Sequence, residues 1–528
     1  MIGWIKRNKD CLLGFTFIFI IILIFCYIKY GYFIDEIYTL GCSNSHYAPF
    51  ITMLNHGDIN NVILEKSDFM KYLTVDNNEL FDFGSVFYNL SYDTQPPLYF
   101  LLLNACSSLF QNVFSKWIGL GLNTILSIIS LIFLYKICGL IDIDKKNSLA
   151  AVFLFGLSYS LLSNLLNIRM YILLTCISII LTYLFIIYSK TENKLICGLI
   201  SLTVLAGALT QYIFLVFAFF LTASYFIAIL LKKKWLKALL LGFSSLLGVV
   251  LVVAVFPTVL KIIFSGGGAV SGGGMLAKLM NVSRWPYSLI SGARAFVTGS
   301  FVSVSIIISV LAANIKRFKG FIKQLRLLDN ADILLVTITM ILTFSLVSII
   351  SPHSFSLNYI SNLSFVMPLL AAYLLNALSR STNIELIDMS IITRTAIPVL
   401  MVISAFVVKP NYINGDFKVF DRNISNYLDS PCVYYQANKN SPPISQDMAQ
   451  LVQFKNVFVT DGTDYSLAAD YINSQESKDT LVVYVDATGK GNFIVNDILN
   501  YYLNEMDYSS YKLLYKYECS ECYVFIKN

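Results

Sequence analysis

Two acidic motifs are the features of this sequence best suited to chemistry. Asp35 and Glu36 follow the first long apolar segment, and Asp93 stands shortly before a proline pair that opens another apolar segment. A carboxylate at a membrane face is solvated, binds a cation or accepts a proton. A lone Asp-Glu pair is usually solvated surface, so a catalytic interpretation depends on the second carboxylate and on a cation further along the chain.

The second motif reads Asp93-Thr94-Gln95-Pro96-Pro97-Leu98-Tyr99. Prolines in the first turn of a helix fix its start without losing a needed hydrogen bond. The cation is Arg169, which precedes Tyr171 at the end of an apolar segment. An arginine at the end of an apolar segment either extends its side chain to the membrane interface or binds a phosphate through its planar guanidinium.

The elements that must position these residues are membrane helices. The chain has 528 residues, of which 56% are hydrophobic and 13% charged, against roughly 45–50% and about 25% in soluble proteins. Hydrocarbon requires paired backbone groups over about 20 apolar residues. The sequence predicts eleven spans, at 11–30, 117–139, 148–168, 170–188, 195–210, 213–231, 238–258, 290–313, 331–350, 360–378 and 390–408.

The distribution of charge predicts the topology. Lysine and arginine gather in alternate gaps between the spans, at 6–9, 145–146, 190–194, 232–237 and 316–326. The positive-inside rule places these gaps in the cytoplasm, with the N-terminus, and places segment 31–95 and the C-terminus outside. The net charge of +6 is therefore a topology signal, and we expect no nucleic-acid partner.

Two further regions complete the predicted organisation. Residues 96–110 form a weak apolar segment that we interpret as a re-entrant helix, because a full crossing would invert every later basic gap. Residues 410–528 alternate short β-rich runs with polar, helix-compatible stretches, which indicates a small extracytoplasmic α/β domain. The predicted fold class is a polytopic α-helical membrane protein with residues 1–409 as its transmembrane domain.

The ten cysteines do not indicate a disulfide framework. Six lie in or beside apolar segments and are expected to pack as small core residues. Cys519 and Cys522 have the Cys-x-x-Cys spacing of a redox pair or half a metal site, but no second pair or nearby histidine supports zinc. A structural or disulfide role is favoured for them and for Cys432.

Read together, the ordered motifs resemble those of a known family. Ile34-Asp35-Glu36-Ile37-Tyr38, the Asp-x-x-Pro-Pro-Leu-Tyr pattern at 93–99 and Arg169-x-Tyr171 are similar to signatures of GT-C membrane glycosyltransferases, specifically family 39 with its protein mannosyltransferase and aminoarabinose transferase relatives. The resemblance covers about residues 1–408. It implies a GT-C-like helical fold and a polyprenyl-phosphate-linked sugar donor.

The resemblance also implies roles for individual residues. Asp35 corresponds to the catalytic base, with Glu36 and Asp93 as further acidic site residues. Arg169 is a candidate for stabilising the phosphate, and Arg284 is a weaker one. The remaining expected substrate-binding residues are Gln95, Tyr99, Tyr171 and Gln211.

Some positions depart from the family pattern. Gln95 stands where histidine is common before Pro-Pro, Gln211 replaces the histidine of Thr-His-Tyr, and Asn358 precedes Tyr359 where relatives often have arginine. The two glutamines keep hydrogen bonding and lose a titratable group. Donor contacts, the identity of the sugar and the activity itself therefore stay open at this point.

The leading hypothesis is an inverting glycosyltransferase that moves a sugar from a polyprenyl-phosphate carrier to an envelope glycan, lipid or protein at the outer membrane face. The alternatives are a transporter or flippase of lipid-linked saccharides and a non-catalytic membrane scaffold. No cofactor is indicated with certainty. Asp35, Glu36 and Asp93 carry the oxygen ligands that a divalent cation prefers, so metal dependence is left open.

Overall fold

The structure is a computed structural model that describes residues 9–53, 60–93, 95–191, 193–260, 277–313, 331–351, 357–381, 395–437, 442–488, 494–517 and 519–528. The chain divides into two compact units. The helical unit comprises Met1–Tyr27, Thr94–Tyr99 and Leu120–Asn411, and the sheet unit comprises Ile28–Asp93, Phe100–Gly119 and Tyr412–Asn528. The predicted linear division at residue 410 differs from this one, because segment 28–93 lies with the C-terminal residues.

Helices dominate the described residues. In chain order they are α1 (Lys9–Ile28), α2 (Ile34–Asn44), α3 (Lys66–Leu73), α4 (Phe83–Leu90), α5 (Leu98–Ser108), α6 (Lys116–Leu140), α7 (Lys145–Gly156), α8 (Tyr159–Leu166), α9 (Tyr171–Lys190), α10 (Leu195–Ala208), α11 (Phe214–Leu231), α12 (Trp235–Val255), α13 (Trp285–Gly299), α14 (Phe301–Ala313), α15 (Ala331–Ile350), α16 (Val366–Ser381), α17 (Ile397–Val407), α18 (Gly415–Ile424), α19 (Pro442–Leu451), α20 (Tyr465–Asn473) and α21 (Val495–Asn504).

Six of these helices are long and apolar enough to cross a membrane, namely α1, α6, α9, α11, α12 and α15. The pair α7 and α8 bends by 50°, and the segments Val282–Gly299 and Phe301–Ala312 meet at 94°, which gives eight spans if each pair counts as one. The protein is therefore a multi-pass membrane protein, and its helical fold class is confirmed.

Each predicted span coincides with an apolar helix or bent pair, apart from residues 390–394, which lie outside the described part of the chain. Helices α10, α16 and α17 are shorter than a usual span, so the number eleven stays a prediction. Helix α5 has 11 residues, a length of about 16 Å against the roughly 30 Å of hydrocarbon. Its predicted re-entrant placement stays a prediction.

The sheet unit contains one six-stranded sheet in the order β1-β3-β2-β4-β6-β5. Its strands are β1 (Val62–Glu65), β2 (Cys432–Tyr435), β3 (Asn456–Thr460), β4 (Thr480–Asp486), β5 (Ser510–Tyr517) and β6 (Ser520–Ile526). The central strands β3, β2 and β4 run parallel, and the outer pairings are antiparallel. The predicted C-terminal α/β region is thus present, with β1 added from a distant part of the sequence.

Both faces of the central strands are buried, as is usual for parallel strands. On one face Val433, Tyr435 and Val483 pack with residues of α20 and α21 in a continuous apolar core. Cys432 and Cys522 are buried thiols on β2 and β6, and burial raises the pKa of each well above its ordinary value. This environment suits a packing role better than metal ligation.

The opposite face of the sheet contains a buried acid, Asp447 on α19. The Ser520 hydroxyl donates to its Oδ1 at 2.9 Å, and the Tyr434 hydroxyl donates to its Oδ2 at 3.3 Å. Burial raises the pKa of Asp447 to about 7, although both hydrogen bonds act to lower it and the charge of Asp486 raises it slightly. Among the described residues no cation acts on this carboxyl group, so desolvation exceeds hydrogen bonding here.

Asp447→Asn is expected to stabilise the protein above neutral pH. The folded pKa of about 7 exceeds the ordinary 3.8, so stability falls as pH rises through this window, by up to about 4 kcal/mol. The melting temperature of purified protein in detergent should therefore rise more for the variant at pH 8 than at pH 5. Asp470→Asn on the exposed side of α20 is the control, and equal gains at both pH values would contradict the prediction.

Candidate functional site

The acidic motif Asp35-Glu36 forms the first turn of α2. The Glu36 carboxylate accepts a hydrogen bond of 2.7 Å from the backbone N–H of Phe33, which satisfies a donor that the helix start would leave open. Carboxylates in a first turn are also favoured by the positive end of the helix dipole. The motif therefore stabilises the N-terminus of α2 and also contains the candidate catalytic carboxylates.

Glu36 belongs to a buried ion pair. Lys29 Nζ lies 3.0 Å from both Glu36 carboxylate oxygens, and both side chains are fully buried. Lys29 Nζ also donates to the Tyr412 carbonyl at 3.2 Å, and the Lys29 carbonyl accepts from Lys116 Nζ. Glu36 is thus engaged in holding the start of α2, whereas the neighbouring Asp35 is half-buried.

Asp35 and Asp93 both lie near the phenol of Tyr38, one turn along α2. Burial raises the pKa of Tyr38, a hydrogen bond with Ser445 opposes that shift, and the charges of Cys42, Asp35 and Asp93 add to it. The two acids that the sequence places in separate motifs therefore both act on one phenol of the sheet unit. Tyr38 and Ser445 are site neighbours that the sequence reading did not single out.

Close packing fixes the position of α2. A Cβ atom on Gly41 would lie 2.1 Å from Tyr72 Cζ, so only glycine lets Tyr72 of α3 approach this closely. The Tyr72 hydroxyl donates to the Pro49 carbonyl at 3.2 Å, and Asn104 of α5 donates to the Ser43 carbonyl at 2.9 Å. Asp35 therefore stands on a helix whose position is set from two sides.

The helical unit links Tyr99 to the segment before Arg169. The Tyr99 hydroxyl donates to Asn123 Oδ1 at 2.9 Å, and Asn123 Nδ2 donates to the carbonyls of Leu165 and Asn167 at 2.9 and 2.8 Å. The backbone N–H of Arg169 in turn donates to the Asn167 carbonyl at 2.7 Å. Asn123 was missed from the sequence, although a polar amide inside the apolar helix α6 is a signal that could have found it.

Gln211 and Tyr171, two other predicted site residues of this part of the helical unit, lie close in the fold or in sequence to Tyr99 and Arg169. The Leu98 N–H donates to the Leu209 carbonyl at 2.8 Å, which brings the Pro-Pro motif next to the segment that contains Gln211. Gln211 Oε1 accepts from the Tyr212 N–H at 3.0 Å. Tyr171 begins α9, and it and Arg169 are largely buried.

Arg284 lies on a separate element, in the turn Val282–Arg284 that leads into α13. Lys278 is near it: burial lowers the pKa of Lys278, and the charge of Arg284 lowers it further. Lys278 Nζ donates to the Ile350 carbonyl at 2.9 Å. Helix α13 packs against α8 and against the 3-10 turn Leu357–Leu363, which contains Asn358. These two cations give the helical unit a second positively charged position besides Arg169.

Within the described ranges, no group of three or more His, Cys, Asp or Glu side chains has the arrangement of a metal site. Asp35 and Asp93 thus both lie within electrostatic range of Tyr38, and the third acid of the predicted set, Glu36, is paired with a lysine. This arrangement leaves two acids that are not committed to the Lys29 ion pair as candidates for accepting a proton.

The sequence matches no protein-family model and no curated protein sequence. Among solved structures, the chain is similar to ArnT from Cupriavidus metallidurans bound to undecaprenyl phosphate, with a TM-score of 0.48 and 9% identity over 98% of each chain. It is also similar to the Archaeoglobus fulgidus oligosaccharyltransferase AglB in complex with an inhibitory peptide and a dolichol-phosphate. There the TM-score is 0.44 and the identity 11%, over 92% of this chain and 70% of that one.

Glu36→Gln is expected to destabilise the protein by about 3–5 kcal/mol, because it leaves Lys29 buried without its counter-charge. The double variant Lys29→Met/Glu36→Leu should lose much less. Melting temperatures of the purified proteins in detergent measure both effects.

Lys71→Met provides the matched control for this experiment. Its ion pair with Asp68 spans 3.7 Å, and the Lys71 side chain is 67% exposed, so the loss should be at most about 1 kcal/mol. A Glu36→Gln protein that melts like the wild type would show that the buried pair does not hold α2.

Proposed function

We propose that this protein is an inverting glycosyltransferase that moves a sugar from a polyprenyl-phosphate carrier to an acceptor of the cell envelope at the outer membrane face. The observation that supports this most strongly is that Asp35, one turn before Tyr38 on α2, and Asp93 from the second motif both act electrostatically on the Tyr38 phenol. The ordered motifs that resemble those of family 39 agree with it. The same proposal includes membership of family 39 and an extracytoplasmic location of the sheet unit.

Asp35 is the proposed base. An acceptor hydroxyl loses its proton to the carboxylate as its oxygen attacks the anomeric carbon, while the bond from that carbon to the phosphate oxygen breaks. Attack opposite the leaving group inverts the configuration of the sugar. Asp35 is better placed for this than Glu36, because Glu36 is fully buried against Lys29. Glu36 is therefore assigned a positioning role, in place of the catalytic one expected from the motif.

Asp93 and Tyr38 complete the proposed acidic site. The Tyr38 phenol stays neutral next to two carboxylates and is able to donate one hydrogen bond. The proposed role of Tyr38 is to orient a carboxylate, and that of Asp93 is to orient the acceptor or the donor sugar.

The leaving polyprenyl phosphate is already an anion, so it needs a positive group more than a proton donor. Arg169 is the first candidate in the helical unit, because its backbone is fixed through Asn167 and Asn123. Arg284 is the second, with Lys278 as its neighbour. The proposed contacts of the donor are neutral hydrogen bonds from Gln95 and Gln211 and packing against Tyr99 and Tyr171. Neither glutamine needs to change its charge for this role.

The two other functions make different demands on the chain. A transporter usually keeps ionisable groups at mid-membrane sites, whereas one ion pair of the helical unit, Lys190 with Asp332 at 3.3 Å, lies at helix ends. A scaffold needs no paired acids. Both alternatives predict that substitution of Asp35 leaves any biological role intact.

Asp35→Asn is expected to reduce sugar transfer by roughly 10²–10⁴-fold, the usual contribution of a positioned base. Purified protein in lipid is given radiolabelled polyprenyl-phosphate sugars and an envelope extract, and the labelled product is measured. Asp470→Asn should transfer at the wild-type rate. Equal transfer by Asp35→Asn would remove Asp35 from catalysis, and no transfer by any form across a broad donor panel would favour transport or scaffolding.

Arg169→Ala is expected to lower kcat about 10²–10³-fold, as does the loss of other groups that stabilise a developing charge. Arg169→Lys should recover part of this, because an ammonium keeps the charge and loses the bidentate geometry. The same transfer assay measures both variants. Arg422→Lys on the exposed side of α18 is the control, and an Arg169→Ala enzyme with an unchanged kcat would contradict the assigned role.

A further inference from the structure

A row of exposed aromatic rings runs across the sheet unit, formed by His46, Tyr47, Tyr88 and Tyr92. Neighbouring ring centroids are 4.8, 5.1 and 5.3 Å apart. The three tyrosines remain 48%, 39% and 52% exposed. Large rings that pack on one another usually do so inside a core, so a contiguous row left in solvent indicates a surface made for contact.

The backbone holds this row in place. Tyr47 has φ +46°, a left-handed conformation that is uncommon for a bulky residue and persists only where the surroundings enforce it. Ser85 enforces it here: its Oγ accepts from the Tyr47 N–H at 2.7 Å and donates to the Ser45 carbonyl at 2.8 Å. A Cβ on Gly84 would come within 3.2 Å of the Tyr47 hydroxyl, so glycine leaves room for this ring.

Acidic groups border the row. His46 Nδ1 lies 3.0 Å from Asp82 Oδ2, while Asp82 Oδ1 accepts from the Ser85 N–H at 3.0 Å. Glu79 lies close to both His46 and Asp82, with Asp76 beside it. The Tyr88 and Tyr92 hydroxyls meet at 3.2 Å. The surface thus combines flat rings, hydroxyl groups and carboxylate acceptors, with excess negative charge.

We propose that this aromatic row binds the acceptor of the transfer reaction and that the acceptor presents neutral saccharide rings. This inference rests on the proposed function. The C–H faces of a sugar ring carry partial positive charge and pack on the negative face of an aromatic ring, and the sugar hydroxyls donate to the bordering carboxylates. Tyr92 directly precedes Asp93, so one end of the row is adjacent in sequence to an acid of the candidate site, where an acceptor hydroxyl is needed.

The negative charge around the aromatic row favours a neutral saccharide over the other ligands that bind aromatic surfaces. Phosphate-rich acceptors and anionic lipid surfaces are repelled by Asp76, Glu79 and Asp82. Membrane-interface aromatic residues are commonly accompanied by lysine and arginine. Segment 60–93 contains Lys66 and Lys71 as its only cations against six carboxylates, Glu65, Asp68, Asp76, Glu79, Asp82 and Asp93. A neutral polyhydroxyl chain is the ligand that fits both the rings and the charge.

Direct binding to the full-length protein in detergent tests the proposal without requiring turnover. The probes are hexamers of β-linked glucose, α-linked glucose and N-acetylglucosamine, and binding is measured by calorimetry. Wild type is expected to bind at least one of them, and Tyr88→Ala/Tyr92→Ala should weaken its Kd by about tenfold or more. Tyr511→Ala, an exposed tyrosine on β5, should bind like the wild type, whereas Gly84→Ala should bind more weakly because it crowds Tyr47.

Three results would overturn the inference. The first is that the wild type binds none of the probes at about 10 mM, and the second is that Tyr88→Ala/Tyr92→Ala binds them as tightly as the wild type. The third is that this double variant loses binding to anionic vesicles while its saccharide binding is unchanged. If Asp35→Asn transfers sugar normally and the aromatic variant still loses saccharide binding, the proposed base is wrong and the saccharide site stands.

Discussion

The buried ion pair of Lys29 and Glu36 sets the conditions under which the acidic site can exist. Taking both charges out of water costs several kcal/mol per ion, and this is offset only if the remaining donors and acceptors are satisfied. The structure meets that requirement with the Phe33 N–H on Glu36 and the Tyr412 carbonyl on Lys29. Through its hydrogen bond to the Tyr412 carbonyl, Lys29 therefore joins the residues after α1 to the segment that begins at Tyr412, inside a single compact unit.

The pairing of β1 with β3 makes the same connection through backbone hydrogen bonds. A strand of four residues is not stable alone, and β1 gains its partners in the register Val62↔Val459 to Glu65↔Asn456. Asn60 fixes that register, because its side chain donates to Asp461 Oδ2 and accepts from the Asp461 N–H. The C-terminal strands thus complete a structure whose other part contains α2 and Asp35.

The sequence predicted the helices well because hydrocarbon leaves a signal in every residue of a span. It predicted the parallel strands for a similar reason, since strands such as β2 and β4 are continuous apolar runs. It did not predict β1, whose Val-Ile-Leu-Glu run is too short to be distinguished from a loop without its partner. The residue pattern by itself could not show which of Asp35 and Glu36 is buried, although the family resemblance pointed to Asp35 as the base. Neighbouring positions on a helix point about 100° apart, and only the position of Lys29 decides which acid is buried.

The different environments of those two acids explain how a buried acid supports the proposed base. A carboxylate that is buried without a counter-charge is costly and takes up a proton. Glu36 avoids this by pairing with Lys29, and that pair holds the turn from which Asp35 projects with part of its surface open. The buried Glu36 is thus a condition for the position of the half-buried Asp35, because a helix start held only by solvated loops would not fix Asp35 relative to Tyr38.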